Sequence, residues 1–231
     1  MSIFRASEAY YLIGRARSDK SQLSDAVKKY IRGKWLEKEK RFKPPVTAKQ
    51  LTKGIVQEEN AIKFYGQFIG QDLVKCDDSV EIEQYQFGGT CDIITDDTIM
   101  DIKCPWDASG FMEASLTKQY EWQLRAYMML YDRPKSELVF CLMDIPDDLF
   151  EDEWRRFCWN NGIVDDSSLD AQEQRYELQM MYYYTLNQMY SEEERIKVYQ
   201  VERDQKNEDL LKESLVMALD YYESLTLNIK L

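Results

Sequence analysis

The 231-residue chain contains no histidine. It can therefore build no Ser-His-Asp or Cys-His nucleophilic pair, and no imidazole can hold a metal. Chemistry is left to carboxylates, lysine, tyrosine or a metal bound through oxygen. Cysteine is sparse and scattered. Cys76, Cys91, Cys104, Cys141 and Cys158 are odd in number and include no C-x-x-C pair, which argues against structural zinc or an iron–sulfur cluster. They read as reduced, mostly buried thiols of a cytosolic protein. Nine glycines and five prolines leave little material for long linkers. No apolar run approaches the roughly 20 residues that span a bilayer, and the first residues lack the apolar stretch of a signal peptide. No membrane association is expected.

What is present supports a real core. The hydrophobic share is 44%, in a length suited to one substantial domain. The net charge of −12 is unevenly spread: residues 1–53 carry 14 Lys and Arg against 5 Asp and Glu. A basic first quarter could contact phosphates on an otherwise acidic protein. Equally, it could neutralise that acidity within the fold or across a subunit interface.

The chain is organised around Gly88–Trp106. Two short apolar strands flank a tight turn at Asp96-Asp97; the first starts at Asp92 and the second ends in Asp101-Ile102-Lys103. Strand alternation puts Asp101 and Lys103 on one face and turns Ile102 into the core. The hairpin brings Asp92 alongside, so that two carboxylates and an ammonium converge at a sheet edge. Carboxylate oxygens suit a hard cation such as Mg²⁺, which can activate water and neutralise charge on a phosphate. The lysine can orient or deprotonate a nucleophile, or offset charge. The competing reading is a solvated acidic hairpin tip.

Around this stretch the pattern predicts a helix over residues 4–12 with Ser7 as N-cap, beside Arg5, which makes a plausible phosphate seat or an ordinary cap. A basic helix runs from Ser21 to Arg41 with Val27, Tyr30, Ile31 and Trp35 inward, ended by Phe42-Lys43-Pro44-Pro45. A third helix covers about Ala48 to Ile69, with Ile55, Ile62, Phe64, Tyr65 and Phe68 as its apolar positions. In it Gly54 and Glu58 share a face one turn apart, leaving room for a ligand or another helix to approach Glu58. Val80–Phe87 reads as one strand feeding the hairpin, and a loop containing Gly110 follows Pro105-Trp106. Leu116–Tyr131 is a helix that aligns Gln119, Gln123 and Tyr127, a row that suits a phosphate or a metal-bound carboxylate, or simply a polar margin. Glu137–Met143 is a buried strand. Beyond it the chain turns acidic and helical, with a Tyr- and Met-rich stretch over 169–190 that reads as packing, a strand over 196–201 and a final helix over about 204–225. The whole reads as one domain, 1–231: a basic helical segment 1–47, core motifs over about 50–145, and an acidic helical extension with a final strand and helix, 147–231.

Together these elements resemble the PD-(D/E)XK nuclease superfamily, and within it the phage lambda-exonuclease and YqaJ-type viral recombinase branch. The likeness is carried by Lys53-Gly54-Ile55-Val56-Gln57-Glu58-Glu59-Asn60-Ala61 on a helix, by Gly89-Thr90-Cys91-Asp92, by Asp101-Ile102-Lys103-Cys104-Pro105-Trp106, and by Gln123-Leu124-Arg125-Ala126-Tyr127. It implies an α/β (α+β) fold with a restriction-endonuclease-like core, a central mixed sheet flanked by helices, and a helical C-terminal extension. It implies that Glu58, Asp92, Asp101 and the main-chain carbonyl of Ile102 ligate Mg²⁺ or Mn²⁺ and that Lys103 is catalytic. By the same resemblance Gln123 and Tyr127 support the site, and Arg5 and Ser7 seat a DNA end. Two positions depart from the pattern: no proline precedes Asp92, and Asp101 stands where glutamate is more usual. The implied activity is metal-dependent phosphodiester hydrolysis, as a 5′→3′ exonuclease on double-stranded DNA ends in recombination. A homo-trimeric toroid, a single-strand annealing protein as partner, and the cytoplasm of a phage or prophage host follow by the same analogy. Two other readings stay open: a structure-specific or restriction-type endonuclease of the same superfamily, and a non-catalytic DNA- or protein-binding phage protein on a degenerate nuclease fold. The acidity suits the last; the near-intact Glu58, Asp92, Asp101 and Lys103 set opposes it.

Overall fold

The computed structural model describes residues 2–40, 42, 49–187 and 190–229. β1 (Phe4–Arg5) leads into a 3-10 helix, Ala6–Leu12, followed by α1 (Asp25–Lys40) and α2 (Lys49–Ile69). Then come β2 (Val80–Ile82), β3 (Phe87–Gly89), β4 (Ile93–Ile94), β5 (Thr98–Lys103), α3 (Ala108–Glu113), α4 (Lys118–Tyr131) and β6 (Lys135–Cys141). α5 (Asp147–Asn161), α6 (Leu169–Tyr182), α7 (Tyr184–Asn187), β7 (Ile196–Glu202) and α8 (Gln205–Ile229) complete the order. Among the described residues no helix is long and apolar enough to cross a membrane.

The central sheet is mixed, in the order β4-β5-β6-β7. β4 and β5 form the expected antiparallel hairpin, β6 runs parallel to β5, and β7 returns antiparallel to β6. Helices cover both faces. Ile99 packs with Trp122, Ala126 and Leu130 of α4, and Leu138 and Phe140 pack with Leu124 and Met128 of the same helix. On the other face Met100, Ile102, Val139 and Cys141 meet Ala61, Ile62 and Tyr65 of α2. This is why β5 and β6 read as nearly continuous apolar runs: both faces of each strand are inside. β7 belongs to this sheet, so the end of the chain is part of the core and not an appendage to it.

Several boundaries differ from the sequence reading. Val80–Phe87 is not one strand. A 3-10 turn at Glu83–Tyr85 and a left-handed Gln86 (φ 47°) break it into β2 and β3, which pair with each other. With β1 they make a separate three-stranded sheet, order β1-β3-β2. Gly88 and Gly89 let these strands approach. A Cβ on Gly88 would lie 2.9 Å from the Val80 carbonyl oxygen, and one on Gly89 would lie 2.9 Å from Cβ of Ala6. Ser7 caps nothing: Arg5 holds the N-cap position of the first turn, with no side-chain hydrogen bond. α1 starts at Asp25 because Ser21 is drawn into a turn by Asp19, whose Oδ1 accepts from both its N–H and its hydroxyl. The Gly110 segment is the helix α3, capped by Asp107 Oδ1 accepting from Gly110 N. Ile55 and Phe68 face solvent and not the core. All five cysteines are free thiols, but only Cys91 and Cys141 are buried. The proline stop at 43–45 lies outside the described residues.

α1 finds its partner at the far end of the chain. Phe4, Val27, Ile31 and Trp35 share one core cluster with Leu211, Leu215, Ala218 and Tyr222 of α8. Trp35 Nε1 donates to Thr226 Oγ1 at 2.9 Å and Arg32 donates to the Tyr221 hydroxyl at 2.8 Å.

Candidate active site

The site forms where β4 leaves the ladder. Its last pairing is Ile93 with Met100, so the next β5 amide, Ile102 N–H, has no strand to bond on that side. Asp92 supplies the acceptor: Oδ2 takes the Ile102 N–H at 2.6 Å. An unpaired N–H inside a protein is costly, and here a carboxylate is spent on it. The N–H and C=O of one strand residue leave on the same side, so the Ile102 carbonyl also faces Asp92.

Asp101 and Lys103 point together toward α4. Lys103 Nζ lies 2.6 Å from Asp101 Oδ2. Oδ2 is buried, and its charge is met by that ammonium. Oδ1 accepts from Gln123 Nε2 at 2.9 Å, and the same amide nitrogen lies 3.3 Å from the Tyr127 hydroxyl. Gln123 and Tyr127 are buried one turn apart on α4; Gln119, one turn earlier, stays exposed and meets the Tyr11 hydroxyl instead. Burial, then the neighbouring Asp101 carboxylate, push the Asp92 carboxyl up to about 7. Burial opposes the Lys103 ammonium, but Asp101 and Asp92 outweigh it and hold its pKa above the ordinary lysine value.

Glu58 reaches the same region from α2 and lines one cavity with Gly54, Ile102 and Lys103. A Cβ on Gly54 would meet nothing within 4 Å, so the approach to Glu58 is open. The Glu58 carboxylate is not free, however. Lys75 Nζ lies 2.8 Å from its Oε1. Lys75 is held there by its backbone, which bridges to Ile93, and by the Cys76 N–H donating to the Asp92 carbonyl.

Arg5 and Ser7 are exposed and line a neighbouring cleft of about 420 Å³, together with Gly89, Thr90 and Tyr127. Tyr127 also touches Gln123, so this cleft and the Asp101 cluster are joined by one hydrogen-bonded chain. Glu81 lines the cleft too, a carboxylate among the groups expected to meet phosphate.

The donor set suits a hard cation. Three carboxylates face two ammonium groups, leaving one negative charge when all are ionised, and Asp101 Oδ2 is a buried carboxylate oxygen beside Lys103. As they stand, no three Asp, Glu or Cys side chains among the described residues are gathered closely enough to share an ion. Glu58 is the member held elsewhere.

Two lysines were invisible to pattern reading. Lys75 sits in an aperiodic segment with no signal. Lys53 is fully buried, and its ammonium donates to the Trp106 carbonyl at 2.9 Å and the Met143 carbonyl at 2.7 Å. One turn on, Gln57 Nε2 donates to the Asp144 carbonyl at 2.9 Å. This face of α2 thus clamps the segments that follow β5 and β6, and so fixes Glu58 relative to Lys103. Burial lowers the Lys53 pKa to about 8. The polar spacing Lys53, Gln57, Asn60 was the only hint.

No family model matches the chain, and no curated protein matches it. Solved structures do. A phage-related exonuclease from Haemophilus somnus 129PT superposes with a TM-score of 0.75 at 24% identity, over 98% of this chain and 96% of that one. An alkaline exonuclease, LHK-Exo, from Laribacter hongkongensis gives 0.64 at 14% identity, over 98% of this chain and 91% of its own. The structure of LHK-Exo in complex with dAMP gives 0.63. The chain shares the fold of these solved exonuclease structures along nearly its whole length.

Proposed function

We propose that the chain is a metal-dependent deoxyribonuclease that digests double-stranded DNA from its ends; its fold relatives are named as exonucleases. The observation that carries this is the Asp92, Ile102, Asp101, Lys103 and Gln123 cluster: a buried and a half-buried carboxylate, an ammonium and a strand carbonyl, gathered at the end of β5. Asp92, Asp101 and the Ile102 carbonyl would hold Mg²⁺ or Mn²⁺, with Glu58 joining them from α2. The cation would supply Lewis acidity, activating water and drawing charge off the scissile phosphate. Gln123 fixes the Asp101 carboxylate through Oδ1 and leaves Oδ2 to face the site. Lys103 would orient the attacking water or offset charge on the phosphate beside these carboxylates. Arg5 and Ser7, at the far end of the Tyr127–Gln123 chain, would receive the terminal phosphate. The basic residues 1–53 give a homo-trimer a lining to gather around DNA, with 5′→3′ polarity and a single-strand annealing protein as partner.

The test is digestion of linear duplex DNA labelled separately at each 5′ and 3′ end, with Mg²⁺ against EDTA, beside closed circular plasmid and Asp101→Ala. Metal-dependent loss of the 5′ label with an intact circle is the expected result. Cutting of the circle would replace this reading with an endonuclease. A folded protein that cuts neither substrate with Mg²⁺ or Mn²⁺ would leave a binding protein on a nuclease fold.

A further inference from the structure

The cavity that holds Glu58 and Lys103 has a second character. It measures about 710 Å³, within the ordinary range of small-molecule sites, and besides Glu58 and Lys103 its charged lining is Glu113. Much of the rest is apolar: Ile55, Trp106, Tyr120 and Phe140 line it, together with the hydroxyls of Ser115 and Thr117. Phosphate chemistry alone has no use for such a wall, because a hydrated anion gains nothing from apolar contact.

The wall is also preset. The Trp106 carbonyl is pinned by the buried Lys53 ammonium. Tyr120 stands edge-on against Phe140, with ring centroids 5.8 Å apart, and Lys103 Nζ lies 5.9 Å from the Tyr120 ring centre. Ile55 is 66% exposed on α2, beside Gly54, where an added Cβ would meet no atom of the described residues within 4 Å. Apolar surface thus begins one side chain away from the ammonium that faces phosphate, which is the arrangement of base and phosphate within a single nucleotide.

We infer that the Ile55, Trp106 and Tyr120 wall is a nucleobase subsite, taking the base of the terminal nucleotide while Lys103 and the carboxylates face its phosphate. The inference rests on the nuclease reading and adds to it where the unstacked base goes. Aromatic and aliphatic faces accept any base, so the subsite grips without reading sequence.

The experiment measures single-turnover release of the end nucleotide, with Mg²⁺, from duplexes whose termini are natural or carry an abasic analogue. Wild type should need about tenfold more enzyme for half-maximal rate on abasic ends. Ile55→Ser, at an exposed position, should weaken natural ends severalfold and abasic ends hardly at all; Trp106→Leu should do the same, with melting curves to confirm its fold. Equal half-maximal concentrations on both ends in wild type would overturn the subsite and leave the nuclease reading intact. So would an Ile55→Ser loss that is the same on both ends. Binding of duplexes with terminal 2-aminopurine, followed by its fluorescence, separates the two ideas. Base-dependent quenching that Ile55→Ser abolishes, with no cleavage by wild type, would support the subsite and remove the nuclease.

Discussion

Lys75 Nζ stands 2.8 Å from Glu58 Oε1, a lysine occupying the carboxylate that the site would need for a cation. Hydrogen bonding to Glu58, and then its charge, raise the Lys75 pKa, so the pair holds across the neutral range. Both side chains are partly exposed, which limits such a pair to roughly 0–1 kcal/mol. Lys75→Met should therefore tighten Mg²⁺ binding modestly, by about two- to fivefold. The Mg²⁺ concentration at half-maximal thermal stabilisation is the readout; no change, or a weaker midpoint, would mean that Glu58 takes no part.

Mg²⁺ itself should raise the melting temperature of the wild type, because it binds the folded arrangement of carboxylates and not the unfolded chain. Asp92→Ala removes both a carboxylate and the acceptor of the Ile102 N–H. Its melting temperature should respond to Mg²⁺ far less. Equal shifts in the two proteins would place the cation elsewhere.

Gln123→Leu leaves the buried Asp101 Oδ1 without its donor. An orphaned buried acceptor costs about 1–3 kcal/mol, more for a charged one. Chemical denaturation should show a loss of that size, and DNA cleavage should fall with it. Gln123→Leu with unchanged stability would show that Asp101 reorients at no cost.

Lys103→Ala should abolish cleavage while the protein stays folded by circular dichroism. The Lys103 side chain is partly exposed and lines an open cavity, so its removal leaves the packed core in place. Full activity in the variant would remove Lys103 from the mechanism.

Lys53 gives a pH signature outside the metal site. Burial lowers its pKa in the folded protein to about 8, while the unfolded chain keeps the ordinary lysine value near 10.5. Below pH 8 both states hold the proton. Between about 8 and 10.5 the unfolded state binds more protons than the folded one, so this group makes stability rise with pH. Comparing denaturation midpoints at pH 7.5 and 10, the wild type should gain on Lys53→Met over that interval. Parallel curves would mean that the two carbonyl hydrogen bonds fully restore the ammonium.

The parts legible in the sequence are those governed by local periodicity. The 3.6-residue stripe of Trp122, Ala126, Met129 and Leu130 specifies α4, and the Asp96-Asp97 turn between alternating residues specifies the β4–β5 hairpin. Asp92, Asp101, Gln123 and Tyr127 are brought together as the motif spacing implied. What escaped depends on contacts distant in the chain. Nothing local marks Gln86 as the left-handed residue that splits β2 from β3. A lysine on a helix reads as surface, and only the carbonyls of Trp106 and Met143, far along the sequence, make Lys53 an interior residue. Ile55 failed in the opposite sense: its apolar side chain fits the helix stripe, yet the face it occupies opens onto the cavity.

The pairing of α1 with α8 sets an order of events at the ribosome. Trp35 and its hydrogen-bond partner Thr226 are 191 residues apart, a gap of about 10–40 s at ordinary elongation rates of 5–20 residues per second. For that interval the basic helix packs on the 3-10 turn, with Tyr30 stacked on Tyr11 and Lys34 paired with Glu8, and lacks its α8 partner. The turn carrying Arg5 and Ser7 is anchored on β3 and α4, which precede α8, so it can settle beside Tyr127 before α8 has emerged. A nascent chain thus carries the carboxylates and the Arg5–Ser7 turn early, and the cover that α8 gives α1 comes later.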